Sequence, residues 1–133
     1  MDFKGARNIA EKIIYKKYKD FSVPVLIWDE MTHEFSRGWV FRYNTKEFIE
    51  TWNEGTGLFT AVPIVIDKFD GKIYRLFNPN HPHGNPIDFL DDYIYRKENE
   101  LMMSNSEKND SNIEHYDYYK IPYYTQIEMI SND

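Results

Sequence analysis

The 133-residue chain contains no cysteine. This absence excludes disulfide bonds, thiolate zinc sites and a cysteine nucleophile. Long apolar runs are also missing, because the longest spans only residues 61–66 and is far too short to cross a bilayer. The N-terminus is charged and amphipathic and lacks the apolar core of a signal peptide. These absences predict a cytoplasmic protein without a membrane partner.

Aromatic side chains and acidic groups are what the chain has in excess. It holds 11 tyrosines, 9 phenylalanines and 3 tryptophans, which suit both cores and interfaces. The net charge is −6, and residues 88–133 carry eleven acidic and only four basic groups. Such a surface repels phosphate backbones and attracts a basic protein. The composition therefore predicts protein binding and disfavours nucleic-acid binding.

The spacing of apolar residues predicts an α+β protein with a small antiparallel sheet of about four strands, on which helices pack. Helices are predicted over residues 3–19, 46–53 and 86–100. Asn44 or Thr45 is suited to cap the middle helix. Three apolar residues of that helix are spaced to face the sheet: Phe48, Ile49 and Trp52.

Short β-branched and aromatic stretches predict the strands, over residues 23–28, 35–43, 61–67 and 72–77. The first two strands are expected to pair as an antiparallel hairpin. Residues 116–130 are compatible with an edge strand or with a segment that becomes ordered on a partner. Residues 1–100 are thus predicted to form the α+β domain. Residues 101–133 are predicted to form an acidic, tyrosine-rich extension, either part of that domain or a flexible tail.

Four residues are predicted to serve the structure. Trp39 and Phe41 share one face of their strand and anchor the core, with Val40 on the opposite face. Pro63 pins the start of the third strand, where a missing hydrogen-bond donor is tolerated. Gly71 occupies the turn position that needs a positive φ.

Two groups of residues have the chemistry of cation ligands. Asp67 and Asp70 flank the turn, where aspartate ordinarily bonds to the backbone. His81 and His83 lie in a proline-rich loop and could pair with Asp88 or His33, but no cysteine or further histidine follows at metal spacing. No nucleophile stands beside an orienting partner. We therefore expect neither a catalytic residue nor a metal or cofactor.

The acidic last helix and the tyrosine-rich tail are the predicted partner-binding region. Tyrosine is favoured at interfaces, and few flexible tails are so aromatic. Packing of the tail onto the domain is the alternative, since it would bury the same rings. The candidate partner-binding residues are Asp91, Asp92, Glu98, Tyr116, Asp117, Tyr118 and Tyr119.

Three segments follow one another in a distinctive order. Residues 38–48 contain Gly-Trp-Val-Phe and then Tyr-Asn-Thr-Lys-Glu-Phe, and residues 61–71 contain Ala-Val-Pro-Ile-Val-Ile-Asp and then Asp-Gly. Residues 85–93 begin with Asn-Pro-Ile and end on a tyrosine. Together these segments resemble the immunity protein 35 family over roughly residues 1–97.

The resemblance implies an α+β antidote without catalytic activity. Such proteins are encoded beside a polymorphic toxin and protect the producing cell by binding the toxin domain. The implied partner is therefore a cognate toxin domain.

Two other functions stay open. A chaperone-like accessory or scaffold protein would bind peptides along a free sheet edge. A small metal-dependent enzyme would use the loop that holds His81 and His83.

Overall fold

The computed structural model of the protein describes residues 1–58, 61–77, 89–99 and 126–130. These ranges contain three α-helices: α1 (Phe3–Tyr18), α2 (Lys46–Thr51) and α3 (Leu90–Glu98). They also contain seven strands: β1 (Val25–Ile27), β2 (His33–Phe35), β3 (Gly38–Phe41), β4 (Tyr43–Thr45), β5 (Ile64–Asp67), β6 (Ile73–Phe77) and β7 (Gln126–Ile130). The predicted α+β class is confirmed.

The strands form two antiparallel sheets. β1 pairs with β4 in a two-stranded sheet, and the other five strands follow the order β2-β3-β5-β6-β7. The predicted strand 35–43 is therefore divided, because Ser36 and Arg37 make a tight turn that places Phe35 opposite Gly38. The predicted hairpin is wrong in its partner, because β1 pairs antiparallel with the short β4, with Leu26 opposite Asn44, whereas β3 pairs with β2 and β5.

The larger sheet is covered on both faces, as the almost fully apolar sequence of β5 predicts. One face of β3 and β5 packs on α1, which approaches closely because Ala6 and Ala10 are small and completely buried. Phe3 of α1 lies over Trp39 and Phe41, with ring centroids 6.2 and 5.9 Å away. The predicted anchors Trp39 and Phe41 thus lie in the core.

The opposite face packs on α3. Val40 and Val65 from the sheet join Leu90 and Tyr93 from the helix in a second buried cluster. Ile127 of the edge strand β7 completes this cluster and is 7% exposed. Residues 126–130 therefore extend the sheet, whereas the rest of the predicted strand 116–130 lies outside the described residues.

Two local predictions are confirmed by backbone geometry. Gly71 has φ +71°, as the turn requires. Thr45 caps α2, since its hydroxyl accepts a hydrogen bond from the Phe48 amide at 3.1 Å. Pro63 immediately precedes β5, which begins at Ile64 and not at the predicted residue 61.

Candidate partner-binding site

A buried carboxylate ties together the β2–β3 turn, the β5–β6 turn and α3. Asp67 has no exposed surface. It accepts hydrogen bonds from Arg37 Nε at 2.9 Å, from the Tyr93 hydroxyl at 2.8 Å and from the Phe69 amide at 2.8 Å. A fourth bond comes from the Asp70 amide at 3.1 Å. With four protein donors on this carboxylate, we interpret Asp67 as a structural residue and not as a cation ligand.

Asp70 is also occupied by protein donors. It accepts from the Lys72 amide at 2.7 Å and from the Tyr74 hydroxyl at 2.9 Å, and Lys97 Nζ donates to the same carboxylate. Although partial burial works in the opposite direction, these bonds lower the pKa of Asp70 below its usual value. Burial raises the pKa of Tyr74, so its phenol stays protonated at neutral pH. This arrangement stabilises the turn and offers no group poised for acid–base chemistry.

Alkaline pH is expected to weaken the fold through its buried tyrosines. Burial, followed by the bond to Asp67, raises the pKa of Tyr93, and burial likewise raises that of Tyr43. Above pH about 10, tyrosines of the unfolded chain ionise while these two stay protonated, so the free energy of unfolding falls as pH rises. Tyr93→Phe is expected to make this decline shallower, as measured by urea denaturation between pH about 8 and 11. A decline as steep as that of the wild type would contradict this assignment.

The histidines predicted as possible ligands are not brought together in the described part of the chain. His33 lies in β2, and His81 and His83 fall outside the described residues. Within residues 1–58, 61–77, 89–99 and 126–130, no group of three or more histidine, aspartate or glutamate side chains is placed to hold a metal ion.

The predicted acidic surface of α3 is only partly present. Asp91 and Glu98 are exposed. Asp92 is 1% exposed and forms an ion pair with Arg96 at 3.3 Å, so its prediction as an exposed contact is wrong. The two charges sit one helical turn apart on the face that meets the sheet, and their attraction offsets part of the cost of burying them. The remaining predicted contacts lie outside the described residues: Tyr116, Asp117, Tyr118 and Tyr119.

Trp52 was predicted to face the sheet, but this prediction is wrong. Its side chain lies largely in solvent at the end of α2. It is 63% exposed and follows the last helical residue in the left-handed region, with φ 60° and ψ 21°. Glycine or asparagine usually occupies this position, and other residues lose about 1–2 kcal/mol there. The structure therefore places a bulky apolar side chain in solvent at an energetic cost.

Neighbouring aromatic rings hold the Trp52 indole in place. Its centroid lies 4.9 Å from that of Trp28 in an edge-to-face contact and 6.0 Å from that of Phe48. Trp28 and Phe48 are themselves 5.7 Å apart. These contacts restrict the rotamers open to the exposed indole, which reduces the side-chain entropy lost when a partner covers it.

Exposed acidic residues flank Trp52 in the sequence. Glu47, Glu50 and Glu54 are all exposed, and Lys46 is the one basic residue between positions 46 and 54. We name Trp52 and these three glutamates the Trp52 surface. Sequence periodicity alone missed it, because an apolar residue at helical spacing is usually buried.

A second exposed apolar region has basic surroundings. An open groove of about 370 Å³ between the end of α1 and β1 is lined by Tyr15, Phe21, Leu26 and Lys19, among others. Lys16 and Lys17 lie in the last turn of α1 beside it. The described surface thus has an acidic aromatic region and a basic aromatic region on different elements.

The fold and these surfaces define a small α+β protein whose exposed features suit binding to another macromolecule. Residues 4–91 match the immunity protein 35 family, and the chain belongs to this family. Over 79 residues the chain is 34% identical to the uncharacterised protein YrhB of Escherichia coli (strain K12), covering 59% of this chain and 77% of that protein. No solved structure matches the chain. Among the helices that the structure describes, none combines the length and the apolar character needed to cross a bilayer.

Proposed function

We propose that the protein is a cytoplasmic antidote that binds a cognate toxin domain and neutralises it without a catalytic step of its own. The observation that carries the proposal is membership of the immunity protein 35 family over residues 4–91, which extends from α1 into the start of α3. The structural roles of the polar clusters support it. Asp67 and Asp70 each accept several protein hydrogen bonds, so neither carboxylate is available as a reactive group.

The charge of the protein supports a basic target. The chain carries a net charge of −6, and acidic surfaces speed encounter with basic ones. A toxin that acts on an anionic substrate has a basic cleft that such a surface would cover. Asp91 and Glu98 remain part of the proposed interface because both are exposed. The tail residues stay in the proposal as well: Tyr116, Asp117, Tyr118 and Tyr119.

Co-expression with the toxin domain encoded beside the gene tests this function. We expect the protein to restore growth of cells that produce the toxin domain and to co-purify with it in a fixed ratio. A toxin domain from an unrelated system is the matched control and should be neither bound nor neutralised. Unchanged toxicity in the presence of the folded protein would contradict the proposal.

A further inference from the structure

Trp52 combines two features that the fold alone does not explain. It is 63% exposed, although indole is among the largest apolar side chains, and its backbone is in the left-handed region at φ 60°. Strained, exposed residues of this kind are concentrated at binding sites, where the surrounding structure holds them in place. Trp28 and Phe48 provide that support through ring contacts at 4.9 and 6.0 Å.

We infer that Trp52 anchors the protein to a basic surface of a partner protein. Its indole enters an apolar pocket of the partner, and Glu47, Glu50 and Glu54 face lysines or arginines around that pocket. This inference rests on the proposed antidote function and names the surface and the chemistry of its target. Tryptophan is enriched among the few residues that dominate binding energy, especially when the ring is already rigid.

Charge selects the occupant of the Trp52 surface. Between residues 46 and 54 the chain carries three glutamates and one lysine, and that lysine is 3.8 Å from Glu50. A basic partner gains from this excess of negative charge, whereas a second copy of the same surface would bring like charges together. The lysine-lined groove at the end of α1 has the opposite sign and does not suit the same partner.

Two substitutions of Trp52 distinguish the effect of losing the indole on binding from the effect of the left-handed backbone on stability. Trp52→Ala removes the indole but leaves a residue that disfavours the left-handed backbone, whereas Trp52→Gly removes the indole and suits that backbone. Calorimetric titration with the toxin domain is expected to show affinity reduced about 30-fold or more for both variants. Phe69→Ala is the matched control, since Phe69 is 68% exposed in the turn between β5 and β6, and it should change affinity by less than about threefold.

The glutamates give an independent test. Charge reversal by Glu54→Lys is expected to slow association several-fold and to weaken its dependence on salt, because a rim charge acts mainly on encounter. Stopped-flow measurements at two salt concentrations would detect both changes. An association rate that is unaffected by Glu54→Lys would contradict the basic character of the partner.

The outcomes distinguish this inference from the function on which it rests. If the wild-type protein does not bind the toxin domain, the antidote function is wrong and the anchor with it. If the wild type binds and Trp52→Gly binds equally well, only the anchor is wrong. The anchor is also wrong if Trp52→Gly converts a dimer to a monomer and leaves toxin affinity unchanged, since the surface would then join two copies of this chain.

Discussion

Replacing Gly38 with alanine is expected to remove more than about 4 kcal/mol from the free energy of unfolding, which is a large part of the stability of a small domain. A Cβ atom at this position would lie 2.0 Å from the carbonyl oxygen of Ile66 on the neighbouring strand. Gly38 also has φ +155°, which side chains rarely permit. Neither backbone can yield easily, because Gly38 is paired with Asp67 at the end of the β3–β5 ladder, and four hydrogen bonds hold the Asp67 side chain in place.

Gly55→Ala is the matched control for this experiment. A Cβ atom there would lie 3.5 Å from Asn53 Oδ1, an ordinary contact, and Gly55 has a negative φ. We expect a change within about 1 kcal/mol for this variant. Urea denaturation followed by circular dichroism compares the two. A Gly38→Ala protein as stable as Gly55→Ala would contradict the close packing of β3 against β5.

Asp67→Ala is expected to lower the free energy of unfolding by about 3–5 kcal/mol. The carboxylate is completely buried, and its removal leaves the Arg37 guanidinium without its counter-charge and the Tyr93 hydroxyl without an acceptor. The same change frees the amides of Phe69 and Asp70, so the β5–β6 turn also loses two of its internal hydrogen bonds. Unpaired buried donors cost more than the net value of the bonds they made.

Asp20→Ala provides the comparison, since Asp20 is an exposed acid in a turn and should change stability by less than about 0.5 kcal/mol. The double variant Asp67→Ala with Tyr93→Phe tests the coupling. Because the two residues share a hydrogen bond, we expect the combined loss to be smaller than the sum of the separate losses. A loss for Asp67→Ala as small as that for Asp20→Ala would show that the buried carboxylate does not organise these elements.

Much of this fold could be predicted from patterns among residues that are close together in the sequence. The face shared by Trp39 and Phe41, with Val40 opposite, follows from the alternation of a strand. The positive φ of Gly71 follows from turn chemistry. The need for glycine at position 38 could not be predicted in the same way, because the atom that excludes a side chain belongs to Ile66, far along the chain.

Long-range pairing explains the predictions that were wrong. The alternation of residues 35–43 continues through the turn at Ser36 and Arg37, so one strand was predicted where three short strands occur. Asp92 was predicted to be exposed from its charge, although Arg96 one turn later was a signal for an ion pair. The exposure of Trp52 depends on how α2 meets the ring of Trp28, which helical spacing does not encode.

The antidote function is tested most directly by titrating the activity of the toxin domain with the purified protein. We expect toxin activity to fall in proportion to the protein added and to vanish at a fixed stoichiometric ratio, with the toxin domain released unchanged when the complex is dissociated. The Trp52→Gly variant should need a large excess to reach the same inhibition. Full toxin activity in the presence of excess folded protein would contradict the function, and inactivation by much less than one equivalent would point to catalysis instead of binding.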